Sequence, residues 1–280
     1  MLAGILASLG YAGGVLIDKY ELSRRHFPLS TYLPLLFAML AFVTGVIMVA
    51  VPSTISFTSS AGNGRYVLAF LVMIALATAW NIFYYRGLKR ETVQEFDLIL
   101  LVEPLATVAL ASIFFVQERN AIRLLLALIA AIMLLVAHMR RRRLMLDSFA
   151  RGLLIAVFLM SLEVLVIRIL LDVYSPVLLY FLRTLALSAV FFLIYRPPLQ
   201  HLRKADLAII LVVALFGVLQ MVARFFGYAA GGVVLTTLLL LLGPVLVESV
   251  SLFFLKERMT HKTALAFMVI LLCVYYASVI

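Results

Sequence analysis

The sequence predicts an all-α polytopic membrane protein, with ten transmembrane helices arranged as two inverted-topology five-helix repeats. Three observations carry this. Hydrophobic residues make up 66% of the chain and charged residues only 13%, where a soluble domain carries about 25% charged residues. Apolar runs long enough to cross a bilayer, about twenty residues each, recur from end to end. The chain also repeats itself: EPLATVALASIFFVQER, from Glu103 to Arg119, returns as GPVLVESVSLFFLKER, from Gly243 to Arg258.

Each copy of this stretch opens at a proline, passes two phenylalanines (Phe114–Phe115 and Phe253–Phe254) and ends in Glu-Arg, where polarity returns. Pro104 and Pro244 are 140 positions apart in a chain of 280 residues, so the period is half the chain. Tyr85-Arg86-Gly87 matches Phe225-Phe226-Gly227 at the same offset, and Gly4 and Pro28 match Gly152 and Pro176 at an offset of 148. The repeats are residues 1–146 and 147–280. Each holds five helices, an odd number, so the second must cross the membrane in the opposite sense. Inverted repeats of this kind are an architecture of many secondary transporters, with the substrate site near the midplane between them.

Helix one, Leu2 to Lys19, lacks the basic leader and small-residue cleavage site of a signal peptide and reads as a retained span. Gly10 and Gly14 lie one turn apart on it, a spacing for close helix packing. Helix two covers Ser30 to Val51. The Ser/Thr/Gly-rich stretch Pro52 to Arg65 is the longest connection and reads as mobile. Helix three covers Tyr66 to Arg86. Helix four, Val93 to Gln117, begins at a capping-box pattern, Thr92-Val93-Gln94-Glu95, with Asp97 in its second turn. Helix five covers Ala121 to His138. Helix six covers Phe149 to Asp172, helix seven Pro176 to Tyr195, helix eight Asp206 to Gly227, helix nine Val233 to Leu255 and helix ten His261 to Val279. Pro104 and Pro244 should loosen the backbone of helices four and nine.

The formal charge of +10 does not indicate nucleic acid, because the basic residues sit in short connections between apolar runs. Those after helices one, three, five, seven and nine hold most of them, including Arg140 to Arg143 between the halves. The basic side is expected to be cytoplasmic, which puts both termini outside an inner or plasma membrane. The alternative for the four arginines is a lipid-head-group or partner site. Cys273, the single cysteine, excludes an internal disulfide. The histidines His26, His138, His201 and His261 fall at helix ends or connections. No metal-ligand spacing, phosphate loop or Ser-His-Asp set is visible, so neither a cofactor, a metal nor an enzyme activity is expected.

The two proline-to-Glu-Arg stretches, the five-plus-five repeat and the short connections resemble the drug/metabolite transporter superfamily, specifically its ten-helix EamA-type members. Pro176 with Tyr180-Phe181-Leu182-Arg183 is also similar to that pattern. The resemblance spans essentially the whole chain. It implies an exporter of a small polar metabolite such as an amino acid, and no particular substrate. Helix one carries Gly10-Tyr11-Ala12-Gly13-Gly14 where many members have a tryptophan.

An ionisable group inside a bilayer costs about 2.5–3.5 kcal/mol on insertion scales, so those present should face the interior. Glu103, Glu163 and Glu248 are the deepest acids. Glu163 and Glu103 are the candidates for proton coupling or for contact with a substrate cation; the alternative is an arginine-paired or protonated structural acid. On helix eight, Gln220, Arg224 and Tyr228 follow at intervals of four and share a face. The equivalent face of helix three carries Trp80, Asn81 and Tyr84. Together with Tyr11 these two faces are expected to wall a cavity, with Arg224 meeting an anionic group; for Arg224 the alternative is a salt bridge between helices. Arg168 and Arg183 are expected to snorkel to the interface beside the turn between helices six and seven.

The reading is a secondary transporter working by alternating access on a small-molecule substrate, in a lipid bilayer, with a proton as coupling ion and a monomer or homodimer as the unit. Two other classes are compatible with the sequence. One is a non-transporting scaffold or accessory subunit; the other is a translocator of a lipid-linked group.

Overall fold

The computed structural model describes residues 2–23, 28–90, 99–138, 148–198, 202–243 and 261–279. Among these the helices are α1 (Leu2–Ser23), α2 (Leu29–Ala50), α3 (Gly64–Arg90), α4 (Val102–Phe114), α5 (Ala121–His138), α6 (Ser148–Leu170), α7 (Pro176–Tyr195), α8 (Lys204–Leu240) and α9 (His261–Val279). The fold is all-α, as the sequence predicts. The helical bounds expected for helices five, seven and ten are the ones found. The capping-box stretch, Asp97, Arg140 to Arg143, His26, His201 and residues 244–258, Glu248 among them, lie outside the described residues.

Among the described residues five helices are long and apolar enough to cross a bilayer: Leu29–Ala50, Gly64–Lys89, Arg151–Leu170, Pro176–Tyr195 and Lys204–Leu240. The outward faces of these helices and of α9 carry large apolar side chains left mostly uncovered by protein. Phe42, Val46 and Val49 on α2, Leu68 and Leu71 on α3, and Leu265, Met268 and Leu271 on α9 are each more than half exposed, at intervals of three or four residues. Contiguous apolar surface of this extent is rare on monomers in water; hydrocarbon is its matching solvent. The interior is filled by Tyr32, Tyr180, Phe191, Phe225 and Tyr228, all fully buried.

The helices pair in a fixed pattern: α1 lies on α8, α3 on α6, α2 on α7, and α5 on α9. At the first of these contacts the close approach depends on Gly10. A Cβ there would stand 2.6 Å from the backbone nitrogen of Gln220 and 2.7 Å from the carbonyl oxygen of Phe216. The packing role expected for Gly10 is thus met by backbone-to-backbone contact. Gly14 is looser, with its nearest neighbour, Phe216, at 3.8 Å.

α8 breaks at Gly232, whose φ of 80° is left-handed and open to glycine at little cost. The break separates residues 204–231 from 233–240, where the sequence separates helix eight from helix nine. Two further irregularities are related by the repeat. Leu101 and Leu241, 140 positions apart, both have φ −63° and ψ −13° and both interrupt a helical run. Each precedes a proline by three residues, Pro104 or Pro244. A proline lacks the N–H that would bond back along the helix and crowds the carbonyl four residues earlier. The loosening expected at Pro104 is therefore found just ahead of it.

The Glu-Arg ending of the first repeat stretch has a structural use. α4 ends at Phe114 and a 3-10 turn, Val116–Glu118, follows, so this helix is shorter than its apolar run suggests. Arg119 donates from Nε to the Ser112 carbonyl and from Nη2 to that of Ile113, both at 2.9 Å, and so closes the C-terminal end of α4. Glu118 accepts from the backbone N–H groups of Val233 (2.6 Å) and Val234 (2.8 Å), the first amides after the break in α8. A cation at a helix C-terminus and an anion at an N-terminus both oppose the helix dipoles favourably.

The connection after α2 is ordered, contrary to the mobility its composition suggests. It forms 3-10 turns at Pro52–Thr54 and Ser59–Gly62. Phe57 pairs with Tyr174, Thr58 donates to the Val173 carbonyl at 2.9 Å, and the Ser175 backbone N–H donates to the Ser56 carbonyl at 2.9 Å. Backbone groups supply the order here, so a polar, glycine-containing composition does not preclude it.

Candidate functional site

Three helices converge on Glu163. It lies on α6 and is 3% exposed. Arg183, on α7, donates from Nε to Oε1 at 2.6 Å and from Nη2 to Oε2 at 3.2 Å. Trp80, on α3, donates its indole N–H to Oε2 at 2.5 Å. The Arg183 guanidinium also stands 5.9 Å from the centre of the Trp80 ring, in cation–π range. Tyr84 meets Trp80 edge-on, with ring centres 5.7 Å apart, and Tyr85 meets Tyr84 at 5.0 Å. The aromatic face expected on helix three is therefore one side of a charged cluster.

Arg183 departs from the sequence expectation. It does not snorkel; it is 2% exposed and forms a two-point ion pair. Its position near the start of a helix suggested reach to an interface, but a bidentate carboxylate inside the bundle offsets the cost of burying its charge. Arg168 lies nearer the surface and pairs with Asp172 at 2.8 Å.

A second cluster forms around Glu103, in the first turn of α4. Arg224, on α8, donates from Nη2 to Oε1 at 2.6 Å. The Arg224 Nε donates to the Tyr228 hydroxyl one turn on, and the guanidinium lies 5.4 Å from that ring centre. The hydroxyl of Thr107 bridges Glu103 Oε1 (3.2 Å) and Ser161 Oγ (3.0 Å). Ser161 is on α6, two residues from Glu163, so that one helix carries a member of each cluster. Thr107, Ser161, Arg183 and Tyr228 complete the two clusters; of these the sequence had offered only Tyr228 as part of a polar face.

The remaining candidates sit apart from the two ion pairs. Asn81 is buried but turns back along its own helix, donating to the Ala77 carbonyl at 2.8 Å. Gln220 is half-buried beside Gly10. Tyr11 packs by its ring against Gly243, where a Cβ would lie 3.4 Å away. A third buried acid escaped the sequence reading. Asp18, 6% exposed on α1, accepts from the Tyr32 hydroxyl on α2. Among the described residues no group of three or more His, Cys, Asp or Glu could hold a metal ion.

Chemically, each cluster joins a full negative and a full positive charge in a medium that solvates neither well. Such a pair is costly to half-remove, because the remaining charge is left buried. The same property lets it exchange partners with a ligand carrying both charges, since the total charge is conserved.

Comparisons with known proteins agree with this picture. Residues 150–279 match the model of the EamA-like transporter family. No curated protein matches the chain. A crystal structure of a protein of 16% identity superposes with a TM-score of 0.75, covering 99% of this chain and 96% of its own; at that identity it shows the fold alone. The resemblance drawn from the repeat stretches is thus met by a family match over the second half. With the apolar helices this match supports a multi-pass membrane protein whose second half is similar to EamA-like transporters.

Proposed function

We propose that the protein is a secondary transporter of the EamA-like type that exports a small zwitterionic metabolite such as an amino acid. Residues 1–146 and 147–280 act as two inverted halves that rock against each other, ten spans in all, with the basic connections on the cytoplasmic side of the membrane. The observation that carries the reading is the Glu103–Arg224 pair: a buried ion pair of 2.6 Å that joins the first half to the second. Trp80 and Glu163 make a second link between the halves. The helix pairing supports the repeat, since exchanging the halves turns α1 on α8 into α6 on α3 and leaves α2 on α7 and α5 on α9 unchanged.

In this mechanism the paired charges hold the halves together when no substrate is bound. The substrate's ammonium competes with Arg183 for Glu163, and its carboxylate competes with Glu103 for Arg224. Trp80 and Tyr84 meet the apolar part of the substrate, while Tyr11, Asn81 and Gln220, which sit apart from the ion pairs, come to the substrate's path as the halves rock. Opening a pair frees Glu163 or Glu103 to take a proton, which is how coupling to H+ would enter. An alternating cycle needs pairs that open and reform, and pairs whose opening is offset by an equivalent ligand meet that need.

The test is uptake by proteoliposomes of radiolabelled amino acids and related metabolites, with an imposed pH gradient. Glu163→Gln and Arg224→Gln should abolish accumulation of the substrate that wild type moves. If both variants, folded at wild-type yield, accumulate it at the wild-type rate, the assigned site is wrong. If no metabolite moves in wild type and a partner protein co-purifies, the scaffold reading replaces this one.

A further inference from the structure

Away from both clusters, a cavity of about 200 Å³ opens where the end of α4, the end of α6 and the break in α8 meet. Gln117, Glu118, Asn120, Arg123 and Arg168 supply its polar lining, and Gly232 part of its backbone wall. No residue of the Glu103 or Glu163 cluster lines it.

The charges in this lining do not balance. Glu118 is committed, with one oxygen on each of the Val233 and Val234 amides. Arg168 is paired with Asp172, but that carboxylate is 60% exposed, and exposed pairs are weak and easily exchanged. Arg123 has no acid. Its backbone N–H is accepted by Asn120 Oδ1 at 3.1 Å, yet its side-chain Nε is buried and has no hydrogen-bond partner. A buried charged donor left unmade is costly and calls for an acceptor. The lining thus holds two guanidiniums against the single carboxylate of Glu118, a net charge of +1, and among the described residues Arg123 is in no ion pair. At about 30 Å³ per water it has room for roughly six or seven waters, or for a small organic anion.

We propose that this cavity binds a small monocarboxylate, gripped between the guanidiniums of Arg123 and Arg168. Guanidinium and carboxylate match in a two-point fork. A single missing charge suits a carboxylate better than a phosphate group, which carries about −1.5 to −2. The binding stands by itself. Its role as the place where a carboxylate-bearing metabolite is held at the mouth of the bundle rests on the transporter reading.

The experiment uses the full-length protein in detergent and sodium lactate as the probe, against sodium chloride at matched ionic strength. Arginine modification by phenylglyoxal is followed peptide by peptide. Lactate should slow modification of Arg123 and Arg168, by about tenfold once its concentration is about ten times its Kd, and leave the exposed Arg65 unaffected. Arg123→Gln should remove the protection at Arg168, and Arg123→Lys should keep part of it. Equal rates in lactate and chloride would overturn the proposal, as would full protection of Arg168 in Arg123→Gln. If Arg123→Gln does not fold, wild-type protection and its weakening in Arg168→Gln decide the matter. Glu163→Gln separates the two readings: it should abolish transport and leave protection at Arg123 unchanged. Transport in wild type without protection sinks this proposal alone; protection without transport of any metabolite sinks the transporter reading alone.

Discussion

Replacing Glu103 by glutamine tests whether the Glu103–Arg224 pair is an energetic unit. The two side chains are 9% and 11% exposed and the charged atoms stand 2.6 Å apart. With an effective dielectric constant of about 20, unit charges at that distance attract by roughly 6 kcal/mol. Desolvation of both groups offsets much of this, so the pair's net contribution is small. Removing one member is a different perturbation, because Arg224 stays buried with only Tyr228 as a polar neighbour to its Nε. The expected loss is about 3–5 kcal/mol, or about 6–20 °C in melting midpoint on a scale of about 2–4 °C per kcal/mol. Arg224→Gln should lose a similar amount. The double variant Glu103→Gln/Arg224→Gln should lose much less than the sum, since no charge remains unpaired. Scanning fluorimetry of the four proteins in one detergent gives the cycle. Losses that add within about 0.5 kcal/mol are the behaviour of independent sites and would refute the reasoning.

The neighbouring groups yield further predictions. Trp80 is the only tryptophan, so its emission reports directly on the Glu163 cluster; Glu163→Gln should shift the spectrum, and an unchanged spectrum would mean that the indole N–H does not hold that carboxylate. Trp80→Phe keeps a ring beside Tyr84 and Arg183 but deletes the donor to Glu163, with an expected loss of about 1.5–3 kcal/mol for a hydrogen bond to a charged group, measured by denaturant unfolding. Gly10→Ala drives a methyl into the backbone of α8 and should cost about 1–3 kcal/mol by overpacking; a melting midpoint equal to wild type would show that α1 sits farther from α8. Gly232→Ala combines a left-handed φ with a Cβ placed 2.8 Å from Glu118 Oε1. It should cost about 1–3 kcal/mol, and Glu118→Ala about 1 kcal/mol as the loss of a cap, both read by the same melt.

Much of this molecule is legible along the chain. Span positions follow from hydropathy, because hydrocarbon demands an apolar run of bilayer length. The interruptions at Leu101 and Leu241 follow from prolines three residues on, and the break at Gly232 from paired glycines between two apolar runs. That Glu103, Glu163 and Arg224 face inward also follows, since each would otherwise meet lipid at a cost of several kcal/mol. Some local features escaped. The Pro52–Gly62 connection owes its order to hydrogen bonds with residues 173–175, and the use of Glu118 depends on amides 115 and 116 positions away.

What the chain could not state is which charge meets which. The sequence offers Arg224 to a substrate anion or to an unnamed interhelical salt bridge, and Arg183 to the membrane surface; the structure pairs Arg224 with Glu103 across 121 positions and Arg183 with Glu163 across 20. Hydropathy and spacing are properties of one helix at a time. They fix that a buried charge needs a partner and on which face it must be found. The partner itself is decided when helix faces meet, through the seating of α8 against α4 and of α3 against both α6 and α7. Such contacts are set by shape and glycine-permitted approach over the whole bundle, so only the tertiary structure could name the pairs.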